Sequence, residues 1–339
     1  MATPRALAST PTAPHATAGR SRRAMAGVLI GATLWGLSGT AAQRLMQGYG
    51  VTPQWLVTTR MLVAGLLLLL AGRWLGVRDR LAPWRDGRSR RQLIAFALGG
   101  LLGVQYSYMA AIALGNAATA TFLQYLGPAF VTVYEVLRWR RRPRPHEVAA
   151  LVLAMGGTLL LATGGSLHRL AVPAGAVAWG LVSALTLAFY TVAGASLLQR
   201  WPPAVSVGWA MVVGGAAMAV LAPPWSVGGR AVAWDAAAAG LWAFVVLGGT
   251  LVAFTLYLAS LRHLRPSQTS LLACMEPLAA AASATLWLGV PFTGPMAAGG
   301  AAVMAAVLLL SRERAGTEPG ERAGTQHELA APTAAEPPR

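Results

Sequence analysis

Three charged side chains lie inside long apolar stretches of the chain: Arg60, Glu135 and Glu276. A charge at the centre of a membrane-spanning helix costs on the order of 2.5–3.5 kcal/mol, so such residues commonly serve a substrate or a proton. Glu276 is followed by Pro277, which removes a backbone donor and leaves carbonyls free to line a cavity. We therefore interpret Glu276 as a candidate substrate contact and proton carrier. The alternative is a structural carboxylate that is capped by a neighbouring helix or holds a kink.

The other two charges have simpler explanations. Arg60 lies near one end of its apolar segment, where it could bind an anionic substrate or pair with Glu276. The interpretation that we favour is structural: the side chain extends to the membrane surface or forms an ion pair. Glu135 precedes Arg138 by three residues, a spacing that favours a local ion pair at the end of a helix.

Neutral polar residues form a second pattern in the same apolar segments. Thr121, Gln124, Pro128 and Thr132 recur every three to four residues and so share one helix face. Such residues often only join packed membrane helices, for about 0.6 kcal/mol each. Helix packing alone explains a polar face that includes a proline less easily. We expect Pro128 and Pro277 to break their helices. The predicted substrate contacts are Trp35, Gln105, Tyr108, Thr121, Gln124, Tyr190, Tyr257 and Glu276.

Composition requires that these residues lie in a membrane protein. Of 339 residues, 55% are apolar and 11% are charged, and the mean hydropathy is +0.54. Soluble domains carry about 25% charged residues, so this surface cannot face water. The tails 1–24 and 313–339 lack an apolar face and are predicted to be disordered. A span needs about 20 apolar residues. Ten spans are predicted, at 26–44, 55–72, 93–113, 118–137, 147–165, 174–196, 205–222, 237–259, 267–288 and 294–311.

The positive charge sets the orientation of the chain and does not indicate a nucleic-acid partner. All 27 basic residues are arginines, and the net charge is +16. If both termini are cytoplasmic, 23 arginines lie in inner segments and three in outer loops, as the positive-inside rule requires. The single cysteine, Cys274, excludes a disulfide framework and a cysteine-based metal site. We expect no catalytic residues, metal or cofactor.

The two halves of the chain repeat each other at an offset of 149 residues. At this offset the pair Gly99-Gly100 coincides with Gly248-Gly249, Tyr108 with Tyr257, and Pro128 with Pro277. We assign residues 25–165 to the first repeat and 166–312 to the second. Each contains five predicted spans, and an odd number gives the second repeat the opposite orientation in the membrane. Inverted repeats of this kind are typical of alternating-access transporters whose substrate site lies near the midplane.

Three motifs resemble those of EamA-type transporters of the drug/metabolite transporter superfamily. They are LWGLSGTAAQRL at 34–45, NAATATFLQYLGP at 116–128 and SLLACMEPL at 270–278, and the bacterial inner-membrane branch of the YicL type is the most similar. The resemblance implies an all-α, ten-helix 5+5 inverted-repeat fold that moves a small metabolite, commonly outward and commonly coupled to ions. Its motif positions correspond here to Trp35, Gly36, Arg60, Glu276 and Pro277. Where many members have Leu-Gly-Glu, this chain has Leu-Gly-Val at 288–290, so any role of that glutamate is absent.

These observations together predict a multi-pass secondary transporter of the bacterial cytoplasmic membrane. Its partners would be the lipid bilayer, a small-molecule substrate (an amino acid or another amphipathic metabolite) and a proton or other coupling ion; the oligomeric state stays open. One alternative is a membrane binding or scaffolding protein without transport. Another is an intramembrane enzyme, which we disfavour because the five histidines lie in tails, loops or span edges.

Overall fold

Helices form all the regular secondary structure in the part of the chain that the computed structural model describes, residues 14–74, 77, 79–166, 170–225, 232, 234–260, 264 and 266–314. The first half comprises α1 Pro14–Tyr49, α2 Pro53–Trp74, α3 Ala82–Arg85, α4 Gly87–Ala95, a π-helical segment π1 Phe96–Leu102, α5 Gly103–Leu114, α6 Ala117–Gln124, α7 Gly127–Arg138 and α8 Pro145–Thr163. The second half comprises α9 Ala174–Arg200, α10 Pro203–Leu221, α11 Ala236–Ala243, π2 Phe244–Val252, α12 Ala253–Ser260, α13 Pro266–Ala273, α14 Met275–Leu288 and α15 Gly294–Arg314.

Seven continuous helices in the described residues are long and apolar enough to cross a membrane. They are Arg22–Tyr49, Pro53–Gly72, Gly87–Leu114, Pro145–Thr163, Ala174–Arg200, Pro203–Leu221 and Ala236–Ser260. The chain is therefore a multi-pass membrane protein. Three other predicted spans take a different form. The segments 118–137 and 267–288 are each divided into two short helices, and the last helix contains a shorter apolar stretch, Gly294–Leu310.

The ends of the chain differ in part from the expectation. Helix α1 begins at Pro14, so residues 14–24, which we predicted as part of a disordered tail, are helical. This stretch is rich in alanine and arginine, which are good helix formers and can extend a membrane helix beyond the apolar region. Residues 1–13 and 315–339 lie outside the described residues.

The elements of the two halves repeat at the offset found in the sequence. Helices α4 and α11 begin 149 residues apart, as do α6 and α13, and α8 and α15. A π-helical segment also lies at the matching place in the described part of each half, and each segment contains its pair of glycines. A Cβ on Gly99 would lie 2.8 Å from Phe189, and one on Gly249 would overlap Ser38. Gly99 and Gly249 thus let each π segment approach a helix of the other half closely.

Most close packing joins one half to the other. Helix α1 packs on α12, π2 and α14, and its counterpart α9 packs on α5, π1, α6 and α7. Two counterpart pairs, α2 with α10 and α8 with α15, also pack directly on each other. Hydrogen bonds cross the same boundary: the hydroxyls of Thr40 and Ser283 lie 2.6 Å apart, and Trp242 Nε1 donates to Thr59 Oγ1 at 3.1 Å. The halves therefore form one interlocked body.

At the end of the bundle that bears the arginine-rich segments, a loop of the first half is tied to the second half. Asp86 caps α4 and lies 3.5 Å from Arg200 Nη1, while Trp201 Nε1 donates to Ser89 Oγ at 3.0 Å. The Ser89 hydroxyl donates to the Asp86 carboxylate at 2.6 Å. This hydrogen bond is the main reason that the pKa of Asp86 lies below its ordinary value, and the backbone N–H groups of Ser89 and Arg88 contribute.

The contact between α8 and α15 depends on small residues and can be tested with a matched pair of substitutions. A Cβ on Gly157 would lie 2.7 Å from the backbone oxygen of Gly299, whereas one on the adjacent Gly156 would meet no atom within 4 Å. We expect Gly157→Leu to lower the free energy of unfolding by about 1–3 kcal/mol, because the helices must separate. Gly156→Leu should leave it nearly unchanged. Unfolding in mixed detergent micelles measures both, and equal losses would contradict this account of the packing.

Candidate functional site

A cavity of about 300 Å³ lies where the two halves meet. Its wall is built from both halves, with residues of α1, α2, π1, α5, α6 and α7 facing residues of α9, α12, α13, α14 and α15. Most residues predicted as site residues line it: Trp35, Arg60, Gln105, Tyr108, Gln124, Pro128, Tyr190, Tyr257 and Glu276. Glu135 is not among the lining residues, and its predicted pairing with Arg138 stays a prediction.

Thr121 and Pro277 were predicted to belong to the site but lie behind the cavity wall. Thr121 is fully buried, and its hydroxyl donates to the carbonyl of Ala117 at 2.7 Å. Because a threonine hydroxyl has a single proton, Tyr108 is the donor in their 2.7 Å contact. Thr121 therefore holds the Tyr108 ring in position. Pro277 is buried in the first turn of α14.

The helix breaks fall three residues before the two prolines. Helix α6 ends at Gln124, and α7 begins at Gly127, so Pro128 occupies the first turn of the new helix. Proline is tolerated there because the first-turn N–H groups have no partner within the helix. The break between α13 and α14 falls at Cys274 in the same way. The prolines thus start the second helix of each pair and do not kink a continuous one.

Glu276 projects into the cavity from the first turn of α14, where the partial positive charge of the helix end favours a carboxylate. Its hydrogen-bond partner among the described residues is the Tyr125 hydroxyl, which lies 3.2 Å from Oε2. The same hydroxyl lies 2.7 Å from the carbonyl oxygen of Ala273. Because the phenol has one proton and the carbonyl is closer, the carboxylate is held only weakly. A protonated Glu276 could instead donate to the tyrosine oxygen.

Arg60 does not extend to the membrane surface, contrary to the interpretation that we favoured from sequence. Its side chain is 5% exposed and turned inward, and Nη2 donates to Gln105 Oε1 at 2.9 Å. The Nε atom is buried without a partner. Arg60 and Glu276, both described by the structure, line one cavity without forming an ion pair.

Aromatic side chains supply much of the remaining wall. Trp35 meets Phe254 edge to face and Tyr257 at a tilt, each with ring centroids 5.1 Å apart. Tyr190 is stacked on Phe96 at 4.7 Å. A substrate in this cavity would thus meet two charged groups and broad apolar surfaces.

Sequence reasoning missed two lining residues that matter. Tyr125 follows Thr121 by four residues and precedes Pro128 by three, so it belongs to the polar helix face already identified. Phe254 precedes Tyr257 by three residues on the same side of α12. Helical spacing could have found both. In the described residues there is no group of three or more His, Cys, Asp or Glu side chains that could hold a metal.

Two interlocked helical repeats with a polar and aromatic cavity between them are typical of one class of protein, the membrane transporters. Residues 22–163 and 174–312 each match the EamA-like transporter family. The chain belongs to this family, as the three motifs predicted.

Known relatives support the same assignment. The chain is 33% identical over 294 residues to the uncharacterized inner membrane transporter YicL of Salmonella typhimurium, covering 86% of this chain and 96% of the relative. It is 30% identical over 229 residues to an uncharacterized transporter of Archaeoglobus fulgidus, covering 67% and 78%. It is 27% identical over 135 residues to the aromatic amino acid exporter YddG of Ancylobacter novellus, covering 39% and 45%.

A solved crystal structure shares the fold. It aligns with 88% of this chain and 99% of its own, with a TM-score of 0.59 and 18% sequence identity. The family match and the apolar helices together identify the chain as a multi-pass membrane transporter.

The role of Tyr125 at the two helix breaks can be measured. Tyr125→Phe removes the hydroxyl that contacts the Ala273 carbonyl and Glu276. We expect it to lower the free energy of unfolding by about 1–3 kcal/mol, because the partly buried carbonyl of Ala273 loses its partner. The control is Tyr134→Phe on α7, whose side chain is exposed. Equal stability of the two variants in a detergent unfolding titration would show that the Tyr125 hydroxyl does not support the break.

Proposed function

We propose that the protein is a secondary transporter that exports a small amphipathic metabolite across the cytoplasmic membrane by alternating access. The observation that carries this proposal is the cavity itself, which draws its wall from both repeats and is lined by two charged side chains, Arg60 and Glu276. Rocking of one repeat against the other around such a cavity would open it to each side in turn. Membership of the EamA-like family supports transport as the activity.

The proposal includes ten membrane crossings, with both termini in the cytoplasm. Seven crossings correspond to continuous helices. Two more would be the broken pairs α6–α7 and α13–α14, because irregular backbone is tolerated at membrane depth where it lines a cavity. The tenth would be α15. The excess of arginines in the inner segments supports this orientation.

Glu276 is the proposed proton carrier. It lies in the cavity wall, is held weakly by one tyrosine, and has a hydrogen-bonding geometry that suits either protonation state. The titratable and charged groups that face it are Arg60, Tyr108, Tyr125, Tyr257 and Cys274. Arg60 carries the charge opposite to that of Glu276, and it would favour the ionised form after a proton has been released.

The substrate class is proposed from the character of the wall. Trp35, Tyr190, Phe254 and Tyr257 present aromatic surface, which favours a ligand with an apolar body. Amino acids and other amphipathic metabolites fit this description. YddG of Ancylobacter novellus, a relative that matches part of the chain, is an aromatic amino acid exporter, and this supports the same substrate class.

Transport can be tested by comparing metabolites in the medium and in cells between deletion and overexpression strains. Compounds that accumulate outside on overexpression are then used to load proteoliposomes with a defined pH gradient. We expect flux that depends on the gradient for the wild type. Glu276→Gln should remove that dependence, because the amide cannot carry the proton. Glu135→Gln, which changes a carboxylate outside the cavity wall, is the matched control.

The results separate the two parts of the proposal. Flux with an unchanged pH dependence in Glu276→Gln would overturn the proton-carrier role and leave transport intact. If no compound changes between the strains and none moves in vesicles, the protein is not a transporter of metabolites, and the proposed function is wrong.

A further inference from the structure

Arg60 and Glu276 are both charged, both line the cavity, and neither is fully partnered by the residues that the structure describes. Arg60 gives one hydrogen bond to Gln105 and keeps a buried Nε without a partner. Among the described residues, Glu276 is hydrogen-bonded by the Tyr125 hydroxyl alone, at 3.2 Å. A guanidinium carries five N–H donors and a carboxylate accepts several hydrogen bonds, so both groups retain unused capacity.

The absence of a direct ion pair is informative because opposite charges attract strongly in a medium of low dielectric constant. Taking two charges out of water is costly unless each is paired and hydrogen-bonded. Packing that brought the two groups together would reduce this cost. Instead, both groups line the cavity without forming an ion pair, and Arg60 is held by Gln105 in the wall.

We propose that the cavity binds a small zwitterion, with its carboxylate at Arg60 and its ammonium group at Glu276. This inference rests on the proposed function and names the chemistry of the substrate. The apolar part of the ligand would lie against Trp35, Phe254 and Tyr257. The same aromatic rings can attract the ammonium group through their faces. Gln105 is a positioning residue, because it fixes the guanidinium through Nη2 and leaves its other donors for the carboxylate.

The arrangement predicts selectivity by charge. A simple anion would satisfy Arg60 and leave Glu276 in the cavity wall without a counter-charge, and a simple cation would do the reverse. A site with two complementary charged groups in one cavity rejects a ligand that lacks either partner, since the remaining group stays unpaired.

Three probes with a common phenyl group test this selectivity: L-phenylalanine, 3-phenylpropionate and 2-phenylethylamine. Their Kd values are measured with the purified full-length protein in lipid nanodiscs at neutral pH. We expect L-phenylalanine to bind at least about tenfold more tightly than either singly charged probe. A survey of the other α-amino acids in the same assay covers side-chain preference.

Two substitutions test which charged side chain binds the carboxylate of the ligand and which binds its ammonium group. Arg60→Met should weaken binding of L-phenylalanine and 3-phenylpropionate by about tenfold or more, and leave 2-phenylethylamine unaffected or tighter. Glu276→Gln should do the opposite, weakening the amine and the amino acid only. Arg60→Lys keeps the charge and should retain part of the affinity for the carboxylate, which guards against a folding defect in Arg60→Met. Arg44→Met and Glu135→Gln change the same residue types outside the cavity wall and are matched controls.

The outcomes distinguish this inference from the proposed function. Equal Kd values for the three probes, no binding by any α-amino acid, or equal weakening of all probes by Arg60→Met would overturn the zwitterion site. If proteoliposomes export a metabolite without both charges, the transporter proposal stands and the zwitterion site fails. If amino acids bind with the expected selectivity and no flux occurs, the site stands and the transport proposal fails.

Discussion

The bilayer cannot hydrogen-bond a polypeptide backbone, and this constraint governs the whole structure. Inside the hydrocarbon every N–H and C=O group needs a partner from the protein. Long helices meet the requirement by themselves, but the breaks at Tyr125 and Cys274 do not. Tyr125 N still donates to Thr121 O at 3.1 Å, and the Tyr125 hydroxyl reaches the Ala273 carbonyl. The irregular backbone thus occurs where the two repeats meet around the cavity, and the first repeat helps to satisfy the break of the second.

The π-helical segments have a related role. A π turn inserts an extra residue and is often found at functional sites. Here Phe96–Leu102 brings Gly99 and Gly100, and Phe244–Val252 brings Gly249, against a helix of the opposite repeat. The residues that follow them, among them Gln105 and Tyr108 in one half and Phe254 and Tyr257 in the other, line the cavity. The shift in helical phase therefore helps to orient the cavity residues in both halves.

Sequence reasoning found the parts that follow from local chemistry. Glu276 was identified because a charge in an apolar segment has few explanations, and the repeat was identified from Gly, Tyr and Pro coincidences at one offset. The inward direction of Arg60 could not be read from its place along the helix, because it depends on Gln105, 45 residues away. The role of Tyr125 could not be predicted either, because its hydroxyl contacts the carbonyl of Ala273, which is 148 residues away in the sequence. The π segments depend on tertiary packing and left no periodic signal.

The interlocking of the repeats has a consequence for biogenesis. Helix α1 finds much of its packing surface on α12, π2 and α14, which leave the ribosome much later. The first helices must therefore stay in the lipid with their small residues and Trp35 unpartnered until the chain is nearly complete. Contacts of such long sequence separation are slow to form, and chains that wait for them are prone to misassembly. Truncation within the second repeat would leave the first without most of its native neighbours, so the two repeats reach the native state as one cooperative unit.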